Sequence, residues 1–247
     1  MKPYHIFTIC TKNYRDAYEF SIASWLSKAV EKVYVYTDDA TWQSDNERVE
    51  IIPHFVESAS WLINVGRKPA AALHLLSTQP SLTNIIFLDA DCFVRHELGG
   101  MFEKKFDFAP TLIEHADCIS SGVWFFRNNA TVVAMMERWK KVQRKNKKAG
   151  RGMSPHRTSY SQLALDTIVR EHMAGGPAKI YLESSRFYNR GISTQDTDWW
   201  SPRGIRLPLR GDLERDKVAI LHFQGNEYRR PKLLAAVAEA WGDTWQG

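Results

Sequence analysis

Two carboxylates one residue apart, Asp89 and Asp91, close an apolar segment that starts at Asn84. Side chains at positions i and i+2 leave an extended chain on the same side, so both anionic groups are expected at the lip of a buried strand. Like charges this close repel each other unless a divalent cation lies between them or one carboxylate takes up a proton. Oxygen ligands of this kind suit Mg²⁺ or Mn²⁺, whereas one aspartate alone at a strand end more often caps a turn. The pair therefore predicts a metal site.

Polar side chains also mark the ends of two other strand-like segments. Asp38 follows the segment 32–37, and His222 lies near the end of the segment 218–223. Ligands of open α/β sheets bind beyond the carboxyl ends of the strands, so these side chains are expected to meet the carboxylate pair at one crevice. Taken alone, a histidine is more often a hydrogen-bonded core residue. As a third ligand beside the two aspartates, His222 would complete a hard-cation site with one nitrogen.

Strand-like segments alternate with helical patterns along the chain, which predicts an α/β fold with a mainly parallel sheet and helices on both faces. The predicted strands are 5–10, 32–37, 50–55, 84–89, 118–126, 179–182 and 218–223. The predicted helices are 14–29, 68–78, 130–148, 161–171 and 231–241. The segment 190–216 is predicted to be a long loop, a feature that is often functional in compact domains. Because no repeat or linker interrupts the sequence, residues 1–247 are expected to form a single domain.

The formal net charge of +5 comes largely from the segment that runs from Arg138 to Arg151, which carries eight basic residues and no acid. One interpretation is a solvated helix end, whose cations interact favourably with the helix dipole. The other is a surface that binds an anionic partner such as a nucleic acid, a phosphorylated glycan or a membrane. Trp139 is the single aromatic residue in the segment, so the sequence leaves both interpretations open.

The N-terminal residues lack the apolar core and cleavage site of a signal peptide, and no apolar run approaches the length of a membrane span. These features predict a cytoplasmic protein. Cys10, Cys92 and Cys118 are far apart in apolar surroundings, so they are expected to be reduced core thiols.

Two segments resemble the GT-A fold glycosyltransferases, which transfer a sugar from a nucleotide diphosphate sugar. Leu88-Asp-Ala-Asp91 is similar to their D-x-D signature, and the segment 221–232 is similar to the C-terminal H-x-x-G-x-x-K-P motif of the glycogenin-like family 8. Lysine follows proline here, so Lys232, Arg229 and Arg230 are alternative contacts for the diphosphate. The resemblance implies a GT-A-like (Rossmann-like) fold, a UDP-sugar donor, Mn²⁺ or Mg²⁺, and retention of anomeric configuration. It leaves the acceptor open among a glycan, a protein and a modified DNA base.

Further motifs in the family's order imply a role for each part of the site. Asp91 and His222 would bind the metal, and Asp89 would bind the metal or the ribose. The implied nucleotide contacts are Thr8, Thr11, Lys12, Asn13, Tyr14 and Asp38. The implied diphosphate contacts are Arg67, Lys68, Gly225 and Lys232. The transferred sugar would meet Ser121 and Gly122 together with two catalytic residues, Gln162 and Asp166.

Each of these roles has an ordinary structural alternative. Any arginine or lysine is by default a solvated surface group. Ser121 and Gly122 equally fit a simple turn or bulge. Gln162 and Asp166, four residues apart on one helical face, equally fit the polar edge of a helix.

Two other classes of protein compete with the transferase. Phosphatases of the haloacid dehalogenase type also carry a D-x-D pair after an apolar strand, and the segment 211–216 is similar to their late acidic motif. In that family, however, the D-x-D strand lies near the N-terminus. A nucleic-acid-binding protein without catalysis would explain the basic segment but would leave Asp89, Asp91 and His222 without a role. Release of UDP from a UDP-sugar would favour the transferase, and release of phosphate from a phosphoester would favour the phosphatase.

Overall fold

A seven-stranded sheet runs through the centre of the protein. The computed structural model describes residues 2–54, 66–113, 117–150, 159–193, 200–201, 204–205 and 217–224. Across the sheet the strands lie in the order β3 (Val49–Pro53), β2 (Val30–Thr37), β1 (Tyr4–Ile9), β4 (Asn84–Leu88), β7 (Cys118–Arg127), β6 (Phe108–Ile113) and β8 (Glu183–Ser184). The first four are parallel, β7 is antiparallel to β4 and β6, and β8 is parallel to β6. The prediction of an α/β protein with a mainly parallel sheet is confirmed, although β7 makes the sheet mixed.

Helices cover both faces of this sheet. They are α1 (Arg15–Leu26), α2 (Lys68–Thr78), α3 (Ala130–Lys148), α4 (Tyr160–Met173) and the short α5 (Ser185–Tyr188), with 3₁₀ turns at Lys12–Tyr14 and Gly99–Glu103. On one face, α2, α3 and α4 pack with Phe7, Phe87 and Trp124 of the sheet. On the other face, Trp25 of α1 packs in a separate cluster with Phe125. Every residue of β4 is buried, as expected for a strand covered on both sides.

A second sheet of three strands links the segment after β4 to the last described residues. Its central strand, β12 (Ile220–Gln224), is antiparallel to β5 (Cys92–Val94) and parallel to β9 (Arg190–Ser193). Two further short strands, β10 (Trp200–Ser201) and β11 (Gly204–Ile205), pair with each other. The predicted loop over 190–216 was therefore wrong for β9, β10 and β11, because strands of two to four residues are too short to show an alternating pattern. The other residues of that segment lie outside those described.

The helical predictions 68–78 and 130–148 match α2 and α3 at both ends. Pro69 stands in the first turn of α2, and the side chain of Asn129 accepts a hydrogen bond from Val132 N at the start of α3. Gly150, with a φ of +62°, follows the end of α3 in the left-handed conformation that glycine tolerates best. The predicted helix 231–241 lies outside the described residues.

Near the far edge of the sheet, one predicted strand was incorrect and one strand was not predicted. The predicted strand 179–182 is reduced to one bridge between Ile180 and Phe108, and β8 follows it. β6 was missed because Pro110, in its middle, argues against a strand. The ladder between β6 and β7 shifts register directly after Pro110, where proline is tolerated. In the described part of the chain, no helix combines the length and apolar character needed to cross a membrane.

Candidate metal and donor site

The carboxylate pair lies where the main sheet passes into the small sheet. Asp89 follows the last residue of β4, and its backbone N–H donates to the Gly122 carbonyl of β7 at 2.9 Å. The chain then turns, with Cys92 N donating to Asp89 O at 3.0 Å, and enters β5. His222 on β12 stands directly opposite Cys92 on β5. The pairing of β5 with β12 therefore brings an imidazole from the distant end of the chain to the carboxylates.

Three predicted ligands meet at this point. Nε2 of His222 lies 3.2 Å from Oδ1 of Asp91 and 3.7 Å from Oδ2 of Asp89. Two ligands at right angles around Mg²⁺, each 2.0–2.1 Å from the ion, stand about 3 Å apart. The distance between His222 Nε2 and Asp91 Oδ1 has this size. A small movement of Asp89 would bring its Oδ2 to the same distance from Nε2. These residues fit a hard divalent ion.

Asn189, which the sequence did not indicate, fixes the imidazole. Its Nδ2 donates to the hydroxyls of Thr111 at 2.9 Å and Ser120 at 2.6 Å. The Thr111 hydroxyl in turn donates to Val123 O at 3.1 Å, so towards Asn189 it can only accept. This direction settles which end of the amide faces His222, namely Oδ1, which lies 2.7 Å from Nδ1. Nδ1 therefore carries a proton, and Nε2 is the nitrogen presented to the carboxylates.

This arrangement is the one that metal-binding histidines commonly adopt, in which the far ring nitrogen donates to an oxygen acceptor. Without a metal, burial works against charge on His222, but Asp91 and Asp89 outweigh it and raise the pKa of the imidazole. Burial raises the pKa of Asp89, an effect opposed by Lys68 and His222. The cluster therefore holds protons where a divalent cation would otherwise supply the positive charge.

Cys92 lies near the same atoms and could in principle complete a softer site. A ligand atom of each of Asp91, Cys92 and His222 lies within 4.8 Å of the others. Burial, with the charges of Asp91 and Asp89, raises the pKa of the Cys92 thiol well above its usual value. Only a thiolate binds metal well, so this protonated thiol is a poor ligand. Oxygen and imidazole donors of this kind suit Mg²⁺ or Mn²⁺, and the identity of the ion stays a prediction.

Lys68 is not the solvated surface group that its residue type suggests by default. Its side chain is 4% exposed, and Nζ lies 2.7 Å from Asp89 Oδ1 and 2.8 Å from Ser121 O. The ammonium also lies 4.8 Å from the centre of the Phe87 ring. Lys68 thus joins the first residue of α2 to the end of β4, places a fixed positive charge in the site, and leaves Oδ2 of Asp89 to face His222.

Ser121 and Gly122 form a bulge in β7, which was one of the two interpretations open from sequence. Thr111 pairs with Ser120 and Pro110 with Trp124, so three residues of β7 face a single step of β6. A Cβ on Gly122 would lie 2.5 Å from Cε1 of His222. Gly122 is therefore the residue that allows the imidazole to reach the carboxylates.

The predicted nucleotide contacts line the carboxyl ends of β1 and β2. Thr8 and Thr11 are buried, and among the described residues neither hydroxyl has a hydrogen-bond partner. Buried hydroxyls without a partner are costly, so a bound molecule or water is expected to satisfy them. Burial, with the negative charges of Asp38 and Asp91 among others, raises the pKa of the Cys10 thiol well above its usual value.

The turn after β1 is fixed by a hydrogen bond to Asp38, the residue that follows β2. Lys12 N donates to Asp38 Oδ1 at 2.8 Å, and Asn13 and Tyr14 complete the 3₁₀ turn at the crevice edge. Arg67, directly before Lys68, interacts electrostatically with Asp38, and partial burial lowers the pKa of its guanidinium. The structure thus brings the predicted contacts before residue 70 to one edge of the sheet.

Gln162 and Asp166 make contacts of a different kind. Oδ1 of Asp166 accepts from Ile119 N at 3.1 Å, and Oδ2 accepts from Arg170 Nε at 3.0 Å. Nε2 of Gln162 lies 3.7 Å from Sγ of Cys118. These bonds join α4 to the first residues of β7, which matches the polar helix edge that was the alternative interpretation. The predicted contacts Gly225 and Lys232, with Arg229 and Arg230, lie outside the described residues.

The chain matches no protein-family model, and a search of curated proteins finds no relative.

Proposed function

We propose that this protein is a metal-dependent glycosyltransferase of the GT-A type, which moves a sugar from a UDP-sugar to an acceptor with retention of configuration. The observation that carries the proposal is the meeting of Asp89, Asp91 and His222 at the carboxyl end of β4. This is the place where open α/β sheets bind nucleotides. The geometry supports a hard-cation site, and the D-x-D resemblance supports a diphosphate as the bound group.

In this proposal, the residues of the site would have the following roles. Asp91 and His222 would hold Mn²⁺ or Mg²⁺ together with Asp89, and the ion would supply Lewis-acid neutralisation of the departing diphosphate. Asn189 keeps the metal-binding nitrogen of His222 aimed at the carboxylates. Lys68 restrains Asp89 through its buried ion pair. Gly122 leaves room for the imidazole.

The nucleoside would lie along the ends of β1 and β2. Among the described residues, the buried hydroxyls of Thr8 and Thr11 have no hydrogen-bond partner, so they would bond to it, and the turn at Lys12–Tyr14, fixed by Asp38, would shape the pocket. Arg67 would add positive charge on the diphosphate side. Gln162 and Asp166 are assigned to the transferred sugar only by the resemblance, because their hydrogen bonds serve to hold α4 against β7.

The phosphatase remains the competing proposal. It gives His222 no role, and its late acidic motif, 211–216, lies outside the described residues. The deciding experiment is a thermal-shift panel of nucleotide sugars with and without Mn²⁺, because a ligand that binds the native state raises its apparent stability. A shift that needs both UDP-sugar and Mn²⁺, followed by slow release of UDP, would support the transferase. Release of phosphate from a generic phosphoester without UDP release would overturn it.

A matched pair of variants makes the test specific to the site. Asp91→Asn should abolish the Mn²⁺-dependent shift while leaving the melting temperature of the free protein close to its normal value. The control, Asp45→Asn, makes the same chemical change at an exposed position and should leave the shift unchanged. If both variants kept the same Mn²⁺-dependent thermal shift, Asp91 would not be a metal ligand.

A further inference from the structure

One face of α3 near its C-terminal end is a dense row of cations. Trp139, Val142, Gln143 and Asn146 are buried, whereas the residues between them are exposed except for Lys140, which is half-buried. The exposed basic residues that recur at helical spacing are Lys141, Arg144, Lys145 and Lys148, and we call this group the basic stripe. The stripe spans about 10 Å along the helix axis, given a rise of 1.5 Å per residue.

In the described part of the chain, no ion pair involves a member of the basic stripe. Earlier cations on the same helix are paired, Arg138 with Glu171 at 3.0 Å and Lys140 with Glu137 at 3.4 Å. Within the stripe, like charges stand three and four residues apart, and such neighbours destabilise a helix. The helix dipole offsets part of this cost in the last turn only. The basic stripe is therefore a row of like charges that repel one another along α3.

The stripe emerges at the same edge of the sheet as the metal site. β7 runs opposite to β4 and ends at Arg127, beside the first residue of β4. Helix α3 therefore starts at the edge of the sheet opposite the metal site and runs back towards the edge that holds it. Gln143 then donates to Gly66 O, two residues before Lys68. The basic stripe continues past this contact, so it flanks the crevice from outside.

The surroundings of the basic stripe favour one kind of anionic partner. Trp139, the aromatic residue of the segment, is fully buried, and its Nε1 donates to Ser161 O at 2.9 Å. Single-stranded nucleic acid gains affinity by stacking on exposed aromatic rings, and a helix that lies in a membrane surface gains affinity by burying exposed apolar side chains. Among the described residues, the exposed large hydrophobics are Met173 and Tyr181, neither of which belongs to α3. A purely cationic row matches a regular array of backbone phosphates.

We propose that the basic stripe binds the phosphate backbone of a duplex nucleic acid and holds it as the acceptor beside the donor crevice. The acceptor role rests on the proposed glycosyltransferase function, whereas duplex binding does not. The contact would be independent of base sequence and strongly dependent on salt, because it replaces counterions condensed on the duplex.

The test measures fluorescence anisotropy of a labelled 24-base-pair DNA duplex at several salt concentrations, without donor or metal. Replacing Lys141, Arg144, Lys145 and Lys148 by Gln should lower affinity at low salt by about tenfold or more and reduce the salt slope by up to about 3 to 4. The control replaces Lys2, Lys28, Lys105 and Lys179 by Gln, which removes the same charge from other elements. It should retain most of the binding.

Equal loss of binding in the two variants, or tighter binding to phosphatidylserine vesicles than to the duplex, would overturn the proposal. Mn²⁺-dependent release of UDP from the donor, measured on the same variants, should be unchanged because it needs no acceptor. Loss of duplex binding with UDP release intact supports the stripe as a separate surface. Absence of UDP release in the unaltered protein would refute the proposed function and leave the duplex result standing.

Discussion

Nδ1 of His222 and Oδ1 of Asn189 lie 2.7 Å apart, inside a buried chain of hydrogen bonds that ends on a backbone carbonyl. Each hydrogen bond in this series has only one possible donor. Asn189 therefore controls which ring nitrogen of His222 faces the carboxylates. The metal site therefore depends on a residue that touches none of the proposed ligands except His222.

Asn189→Ala should weaken Mn²⁺ binding by about 10- to 100-fold, the usual effect of losing a group that orients a metal ligand. Mn²⁺ binding can be measured by electron paramagnetic resonance, and ¹⁵N chemical shifts of the His222 ring, recorded without metal at a pH above the raised pKa of the imidazole, report the tautomer. Thr111→Val removes the group that fixes the Asn189 amide and should give a smaller loss. Unchanged ring shifts in Asn189→Ala would show that Asn189 does not set the tautomer.

Mn²⁺ affinity should rise with pH. The carboxylates outweigh burial and raise the pKa of His222, so its Nε2 keeps a proton at pH values where an ordinary histidine is neutral. A metal must displace that proton, so protons compete with Mn²⁺ up to and above pH 6.5, and affinity falls as pH is lowered. Isothermal titration from pH 6 to 8.5 measures the effect. A flat profile would argue against His222 as a ligand.

Lys68→Met should destabilise the protein by about 3 kcal/mol, because Asp89 would lose the partner that compensates its partly buried charge. Adding Asp89→Asn should recover much of the loss, since the isolated charge is then absent. Urea denaturation of both single variants and the double variant measures the coupling between the residues. Additive losses would contradict the ion pair as a stabilising contact.

The sequence predicted that Asp89, Asp91 and His222 would meet, because polar side chains at the ends of strands converge in open α/β sheets. The strand of His222, however, lies in the separate three-stranded sheet, and its antiparallel pairing with β5 is what brings the imidazole to the carboxylates. It did not predict Asn189, whose role depends on contacts with Thr111 and Ser120 that are distant in sequence. No local pattern encodes such a contact.

The burial of Lys68 was missed for a related reason. A lysine at the start of a helix is normally solvated, and only the bulge in β7 supplies the Ser121 carbonyl that holds its ammonium. The bounds of helices α2 and α3 were correct because their start signals, Pro69 and Asn129, are local in sequence. β6 was missed because Pro110 hides a strand that tolerates proline only at a register shift.

Asp166→Asn separates catalysis from support of the fold. A carboxylate that faced the anomeric carbon would stabilise charge in the transition state, so its loss should lower kcat by about 10² or more with little change in KM. The contacts of Asp166 with Ile119 N–H and Arg170 favour the other outcome. We therefore expect Asp166→Asn to lower the free energy of unfolding by about 1 kcal/mol, since an amide can keep the bond to Ile119 but loses the charge that Arg170 pairs with. Donor hydrolysis and urea denaturation on the same preparation decide between them, and a large fall in kcat at unchanged stability would restore Asp166 as a catalytic residue.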